Sequence, residues 1–76
     1  MSDSVKVGSL LLMSKADRIR TKIKITKKEI DLNLYFEYDD FTVSYIPKRE
    51  LTEAELKGRK YILACLENEL MTLVPF

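Results

Sequence analysis

Residues 30–46 read IDLNLYFEYDDFTVSYI, which is two alternating segments separated by a pair of aspartates. Apolar side chains recur at every second position over 30–38, and a second apolar segment covers 41–46. A period of two predicts half-buried β-strands, because successive side chains of a strand point to opposite faces. The aspartates at 39–40 predict a tight turn between the two strands, and Pro47 is expected to close the second one.

An earlier segment, residues 18–25, alternates in the same way between basic and apolar or threonine side chains. We predict a further strand here, with isoleucines on one face and arginines and lysines on the other. A tight turn at Lys27 and Lys28 would bring this strand beside the next one, with apolar side chains opposite apolar ones and basic side chains opposite acidic ones. The expected cross-strand pairs are Lys24–Asp31, Arg18–Glu37, Ile23–Leu32, Ile19–Phe36, Phe36–Val43 and Leu34–Tyr45.

The C-terminal part of the chain changes to a helical pattern. Thr52 and Glu55 have the spacing of a capping box, and Leu51 and Leu56 have the spacing of a hydrophobic staple. These signals predict a helix over about residues 53–73. Its apolar stripe is expected to cover one face of the sheet. The stripe consists of Leu56, Ile62, Leu63, Leu66, Leu70, Leu73 and Val74.

The start of the chain allows two topologies. Residues 5–7 alternate and favour a strand, whereas residues 10–13 fit a strand or a short helix equally well. Residues 14–17 would then form a hairpin loop. We favour ββββα, with αβββα as the alternative. In both, residues 1–76 form a single small α+β domain, in which an antiparallel meander of three or four strands packs on a C-terminal α-helix.

The composition excludes several classes of chemistry. The 76 residues include thirteen basic and twelve acidic side chains, no histidine, and a single cysteine, Cys65. Without histidine, and with one cysteine, the chain lacks Cys/His zinc sites, a disulfide framework and histidine-based triads. We therefore expect no metal, no cofactor and no enzymatic activity.

The basic segment predicts a candidate contact surface. Four cations on one strand face could follow a phosphate backbone, with a tyrosine available for stacking on bases. The simpler interpretation is a solvated face that is paired with Asp31 and Glu37. The candidate contact residues, for a nucleic acid or another partner, are Arg18, Arg20, Lys22, Lys24, Lys27, Lys28 and Tyr35.

A second group of residues suggests self-association. These apolar side chains are left over once the predicted core is assigned, and exposed apolar patches usually have a covering partner. The candidates are Leu11, Met13, Tyr61, Cys65 and Phe76. We expect a homodimer that binds a protein partner as an inhibitor or adaptor, a role frequent among short chains of viruses and mobile elements; nucleic-acid binding through residues 18–24 is the alternative.

The N-terminus lacks the pattern of a secretion signal, and the longest apolar run, residues 10–13, is too short to cross a bilayer. We expect a cytoplasmic protein with no membrane partner. The lone cysteine agrees with a reducing compartment.

Overall fold

A computed structural model describes residues 4–73, which form a three-stranded antiparallel sheet and two α-helices. The elements in chain order are β1 (Val5–Lys6), a 3-10 turn (Leu10–Leu12), α1 (Lys15–Leu32), β2 (Leu34–Asp39), β3 (Ser44–Glu50) and α2 (Glu53–Leu73). The strand order in the sheet is β1-β3-β2. The predicted small α+β fold with an antiparallel sheet and a C-terminal helix is confirmed. The order βαββα differs from both predicted topologies.

The difference arises at α1, because the predicted basic strand is helical. The Ser14 hydroxyl accepts a hydrogen bond from the Asp17 N–H at 3.2 Å and caps the start of the helix. Asn33 ends it in the left-handed conformation, with φ 57°. The hairpin loop expected at 14–17 is therefore a helix start. All the pairings predicted for residues 18–24 are wrong.

The hairpin of β2 and β3 is confirmed, but β2 begins at Leu34 instead of Ile30, because α1 continues to Leu32, and the turn is longer than predicted. Asp39 stabilises the turn, as predicted, because its carboxylate accepts hydrogen bonds from the N–H and the hydroxyl of Thr42, at 3.1 and 2.8 Å. The turn covers residues 40–43, so Phe36 lies opposite Pro47 and Tyr38 lies opposite Tyr45. The predicted pairs of Phe36 with Val43 and of Leu34 with Tyr45 are wrong. Phe36 is displaced by four residues from its predicted partner, whereas Leu34, which lies beyond the register shift between Tyr35 and Phe36, is opposite Glu50 and is displaced by five.

Pro47 does not close β3, which continues to Glu50. Two features make a proline acceptable within this strand. The edge strand β1 pairs only with Ser44 and Tyr45, so β3 is unpaired on that side at position 47. The pairing with β2 also shifts its register between Tyr35 and Phe36, and prolines in sheets are confined to edges and bulges.

The C-terminal helix is confirmed with its predicted start and end. The Thr52 N–H donates to Glu55 Oε1 at 3.0 Å, and the Glu55 N–H donates to Thr52 Oγ1 at 3.2 Å, which is a complete capping box. The helix packs chiefly on α1, rather than directly on the sheet as predicted. Of the predicted stripe, Leu56, Leu63, Leu66 and Leu70 are half-buried, Ile62 and Leu73 are each 41% exposed, and Val74 lies outside the described residues.

The buried core is small. Its apolar members are Ile19, Ile25, Phe36 and Leu51. They come from α1, β2 and the segment before α2, and no residue of α2 is fully buried. The second helix is therefore covered by its own chain on one side only.

Candidate functional site

A buried ion pair joins the three main parts of the fold. Glu29 of α1 accepts a hydrogen bond from the Phe36 N–H of β2 at its Oε2 (2.9 Å) and from Arg59 Nε of α2 at its Oε1 (3.0 Å). The Glu29 side chain is 7% exposed and that of Arg59 is 22% exposed. Both oxygens of a buried carboxylate are thus hydrogen-bonded, which offsets the cost of removing its charge from water.

Two guanidinium groups flank the ring of Tyr35. The Cζ of Arg49 lies 4.9 Å from the ring centroid and that of Arg59 lies 5.9 Å from it, within the range of cation–π attraction. Arg49 also forms a two-point ion pair with Glu55, both distances being 2.8 Å. Hydrogen bonds from Arg49 and from the Thr52 N–H lower the pKa of Glu55 to about 2. The charge of Arg49 is therefore balanced by the Glu55 carboxylate alone. Arg59 instead donates to the buried Glu29 carboxylate, which also accepts from the Phe36 N–H.

Glu29, Tyr35 and Arg59 line a groove of about 430 Å³ between α1, α2 and the sheet. Its lining residues are Lys22, Ile25, Thr26, Glu29, Tyr35, Phe36, Tyr45, Arg59, Ile62 and Leu66. Burial, and then the nearby Tyr38 and Glu29, raise the pKa of the Tyr45 phenol. The phenol therefore stays protonated at neutral pH and can donate a hydrogen bond. The groove combines an apolar wall with cationic and phenolic donors.

The predicted contact residues are divided between two surfaces. At about 100° per residue, Arg20, Lys24, Lys27 and Lys28 share the outer side of α1; we call these four the basic face. Arg18 and Lys22 point elsewhere: Arg18 Nε donates to the Leu10 carbonyl at 2.9 Å, and Lys22 lines the groove with Tyr35. The predicted single stripe with Tyr35 is wrong because a helix turns successive basic residues away from each other.

Part of the basic face is neutralised. Arg20 forms an ion pair with Asp17 at 2.9 Å, and Lys27 lies 3.8 Å from Glu67. Lys24 and Lys28 form no ion pair with any residue between 4 and 73. Helix α1 nevertheless carries seven basic and three acidic residues, a net charge of +4, against +1 for the whole sequence.

The predicted self-association residues also differ in their surroundings. Leu11 is 87% exposed, Tyr61 is 72% exposed and Cys65 is exposed. Met13 is half-buried, and its sulfur lies 3.6 Å from the Thr21 hydroxyl oxygen, so it packs on its own chain. Phe76 lies outside the described residues.

One side of α2 carries no charge along its whole length. Six residues spaced alternately by four and three lie within an arc of about 80°, at roughly 100° per residue. They are Ala54, Gly58, Tyr61, Cys65, Asn68 and Thr72, and we call them the uncharged face. The seven charged residues of α2 all lie outside this arc. Coiled coils use the same spacing with large apolar residues, whereas here Tyr61 is the one large side chain among small and polar ones.

Gly58 has no packing role within its own chain. A Cβ atom added there would meet nothing within 4 Å among the described residues. Glycine inside a helix costs about 1 kcal/mol relative to alanine. Gly58 thus leaves the helix backbone open on the uncharged face.

Large apolar side chains are exposed on the described part of the chain. Eight large hydrophobic residues between 4 and 73 are exposed to solvent. Half of them, Tyr61, Ile62, Met71 and Leu73, lie on α2. By comparison, only four apolar side chains are buried among the described residues.

Glu29, Arg59 and Tyr45 are not among the contact residues predicted from the sequence. Glu29 lies on the same helix face as Ile25, a signal that becomes visible only if residues 15–32 are assigned to a helix. Arg59 is 30 residues away in sequence, so no local pattern connects it with Glu29.

The described residues contain neither a metal-binding cluster nor a membrane-spanning helix. Within residues 4–73, no group of three or more cysteine, aspartate and glutamate side chains is arranged to hold a metal ion. Neither described helix is both long and apolar enough to cross a membrane. Comparison of the chain with models of protein families, with curated proteins and with solved structures gives no match.

Proposed function

We propose that this protein is a small non-enzymatic binding protein of the cytoplasm, which self-associates through the uncharged face of α2 and occludes or bridges a protein partner. The observation that carries the proposal is the exposed apolar surface of α2, in a structure whose described residues bury only four apolar side chains. Covering part of this surface with a partner would stabilise the fold.

The uncharged face of α2 is the best candidate for the covered surface. It offers one large aromatic side chain, Tyr61, among small residues, and Gly58 allows another helix to approach the backbone closely. Tyrosine is among the residues that most often dominate binding energy at interfaces. A second copy of the chain presents the same face, so a symmetric dimer needs no other partner at this surface.

Sedimentation equilibrium from micromolar to millimolar protein tests the self-association. We expect a dimer for the natural sequence and a weakening of at least about tenfold in Tyr61→Glu, because a buried interface would then hold an unpaired carboxylate. Since Tyr61 is 72% exposed, the variant should fold normally. Lys60→Glu, an exposed change outside the uncharged face, is the matched control and should dimerise like the natural sequence.

Two results would contradict the dimer. One is a monomer of the natural sequence throughout the concentration range. The other is equal association of Tyr61→Glu and Lys60→Glu.

A tagged pull-down from native lysate then tests the partner: a stoichiometric protein band that survives nuclease and high salt is expected.

The basic face of α1 supports a second candidate function, nucleic-acid binding. The net charge of +4 on α1 is compensated by the rest of the chain, so the positive charge is concentrated on one element. Such a concentration of lysine and arginine attracts phosphates, and the resulting affinity falls steeply with salt.

Fluorescence anisotropy with labelled single-stranded and duplex oligonucleotides tests this candidate. Binding through the basic face should be lost in the double variant Lys24→Glu/Lys28→Glu, which changes the two cations of the basic face that form no ion pair with a described residue. Lys48→Glu, an exposed change on β3, is the control. Affinity that is independent of salt, or unchanged in the double variant, would exclude this function.

A further inference from the structure

The groove between α1, α2 and the sheet holds hydrogen-bond donors that the fold does not use. Arg59 donates to Glu29 through Nε alone. Within residues 4–73, neither Nη atom of Arg59 forms a hydrogen bond. A guanidinium presents its donors in a fixed planar fork, so fixing Nε also fixes the direction of the remaining donors.

The charge of the groove is also unbalanced. Its lining contains two cations, Lys22 and Arg59, and one carboxylate, Glu29. Both oxygens of that carboxylate are already hydrogen-bonded. Lys22 has no ion pair within the described part of the chain. The groove therefore carries one positive charge that a bound anion would neutralise.

The rest of the lining is suited to an apolar group. Ile25, Phe36, Ile62 and Leu66 form the apolar part of the wall. Phe36 is 3% exposed, so the floor of the groove is a fixed part of the core. The volume of about 430 Å³ lies within the range of about 300–1,000 Å³ that is usual for small-molecule sites.

We infer that this groove binds a small amphipathic carboxylate, whose carboxylate lies against Arg59 and Lys22 and whose apolar body lies in the groove. The two Nη donors match the two oxygens of a carboxylate. The phenol of Tyr45 supplies a further neutral donor. None of these residues belongs to the uncharged face of α2, so the site is independent of self-association.

An NMR titration of the whole chain with octanoate tests the inference. Octanoate should cause saturable shifts of the backbone amides of Ile25, Phe36 and Ile62. Acetate, which lacks the apolar body, and octylammonium, which lacks the anion, should not. Octylammonium binding as tight as octanoate, or no saturable shifts with millimolar octanoate, would overturn the inference.

Two variants and a control assign the binding to the cations. Lys22→Gln should weaken octanoate binding by about three- to tenfold through loss of a charged donor. Arg59→Lys keeps a charge beside Glu29 but lacks the planar fork, and should weaken binding at least as much. Lys24→Gln, on the outer side of the same helix, should bind normally.

Equal octanoate affinity in Lys22→Gln and Lys24→Gln would place the carboxylate elsewhere and refute the assignment. Lys22 is exposed, so this comparison remains decisive even if Arg59→Lys fails to fold.

Discussion

Replacement of Glu29 by glutamine should be the most damaging conservative change on α1. The amide oxygen can accept from the Phe36 N–H or from Arg59 Nε, but the amide nitrogen would then face the other donor. Breaking a buried ion pair costs about 3–5 kcal/mol. Because the Arg59 side chain keeps 22% exposure to water, we expect a loss of about 2–3 kcal/mol.

That loss is large for a chain of this size. A 76-residue protein has a free energy of unfolding of about 4–11 kcal/mol. Urea unfolding followed by circular dichroism measures the change. With an m-value of about 1 kcal/mol/M, the midpoint should fall by about 2–3 M with the m-value unchanged.

The matched control is Glu67→Gln. Its ion pair with Lys27 is long, 3.8 Å, and the two side chains are 50% and 60% exposed, so the expected loss is below about 0.5 kcal/mol. Equal midpoints for the two variants would refute the argument that the Glu29 pair holds the three elements together. The double variant Glu29→Met/Arg59→Met should be more stable than Glu29→Gln, because no charge is left buried without a partner.

Three further predictions concern local structure. Phe36 is 3% and Phe41 is 97% exposed; Phe36→Ala should cost about 3–5 kcal/mol, whereas Phe41→Ala should change stability by less than about 0.5 kcal/mol in the same urea assay. Asn33 has φ 57°, so Asn33→Ala should cost about 1 kcal/mol while Asn33→Gly retains the stability of the natural sequence; equal losses would argue against a left-handed cap. The pKa of Glu55 is lowered from 4.5 to about 2, so its carboxylate stabilises the fold above pH 4.5 and loses that effect as the pH falls towards 2. Glu55→Gln should therefore flatten the decline of the melting temperature over this interval, and an identical decline in the variant would contradict the assignment.

Local sequence signals were sufficient to predict the elements whose ends are marked by nearby residues. The capping box of Thr52 and Glu55 predicted the start of α2, and it forms in the structure. Alternation predicted β2, and the aspartate pair predicted a turn after it. These features depend on residues within a few positions of one another, so the sequence pattern contains all of their partners.

The same kind of signal was present but ambiguous at α1. Alternating isoleucines and cations suit a strand, but Ile19, Ile23, Thr26 and Ile30 are also spaced by four and three, which suits a helix. Ser14 and Asn33 bound that helix, and both could have been recognised as caps. The prediction placed Ser14 in a loop and Asn33 in a strand, and it therefore placed four cations on a strand face instead of around a helix.

The groove could not be predicted from local patterns. Glu29 and Arg59 are 30 residues apart and belong to different helices, and they meet only because α2 packs chiefly on α1.

Chain composition alone excluded histidine chemistry and a disulfide framework, since those need residues that the sequence does not contain. Which side chains share a groove, and which face of α2 is left uncovered, depended on the packing of distant elements, because burial is a property of the assembled chain and not of any segment.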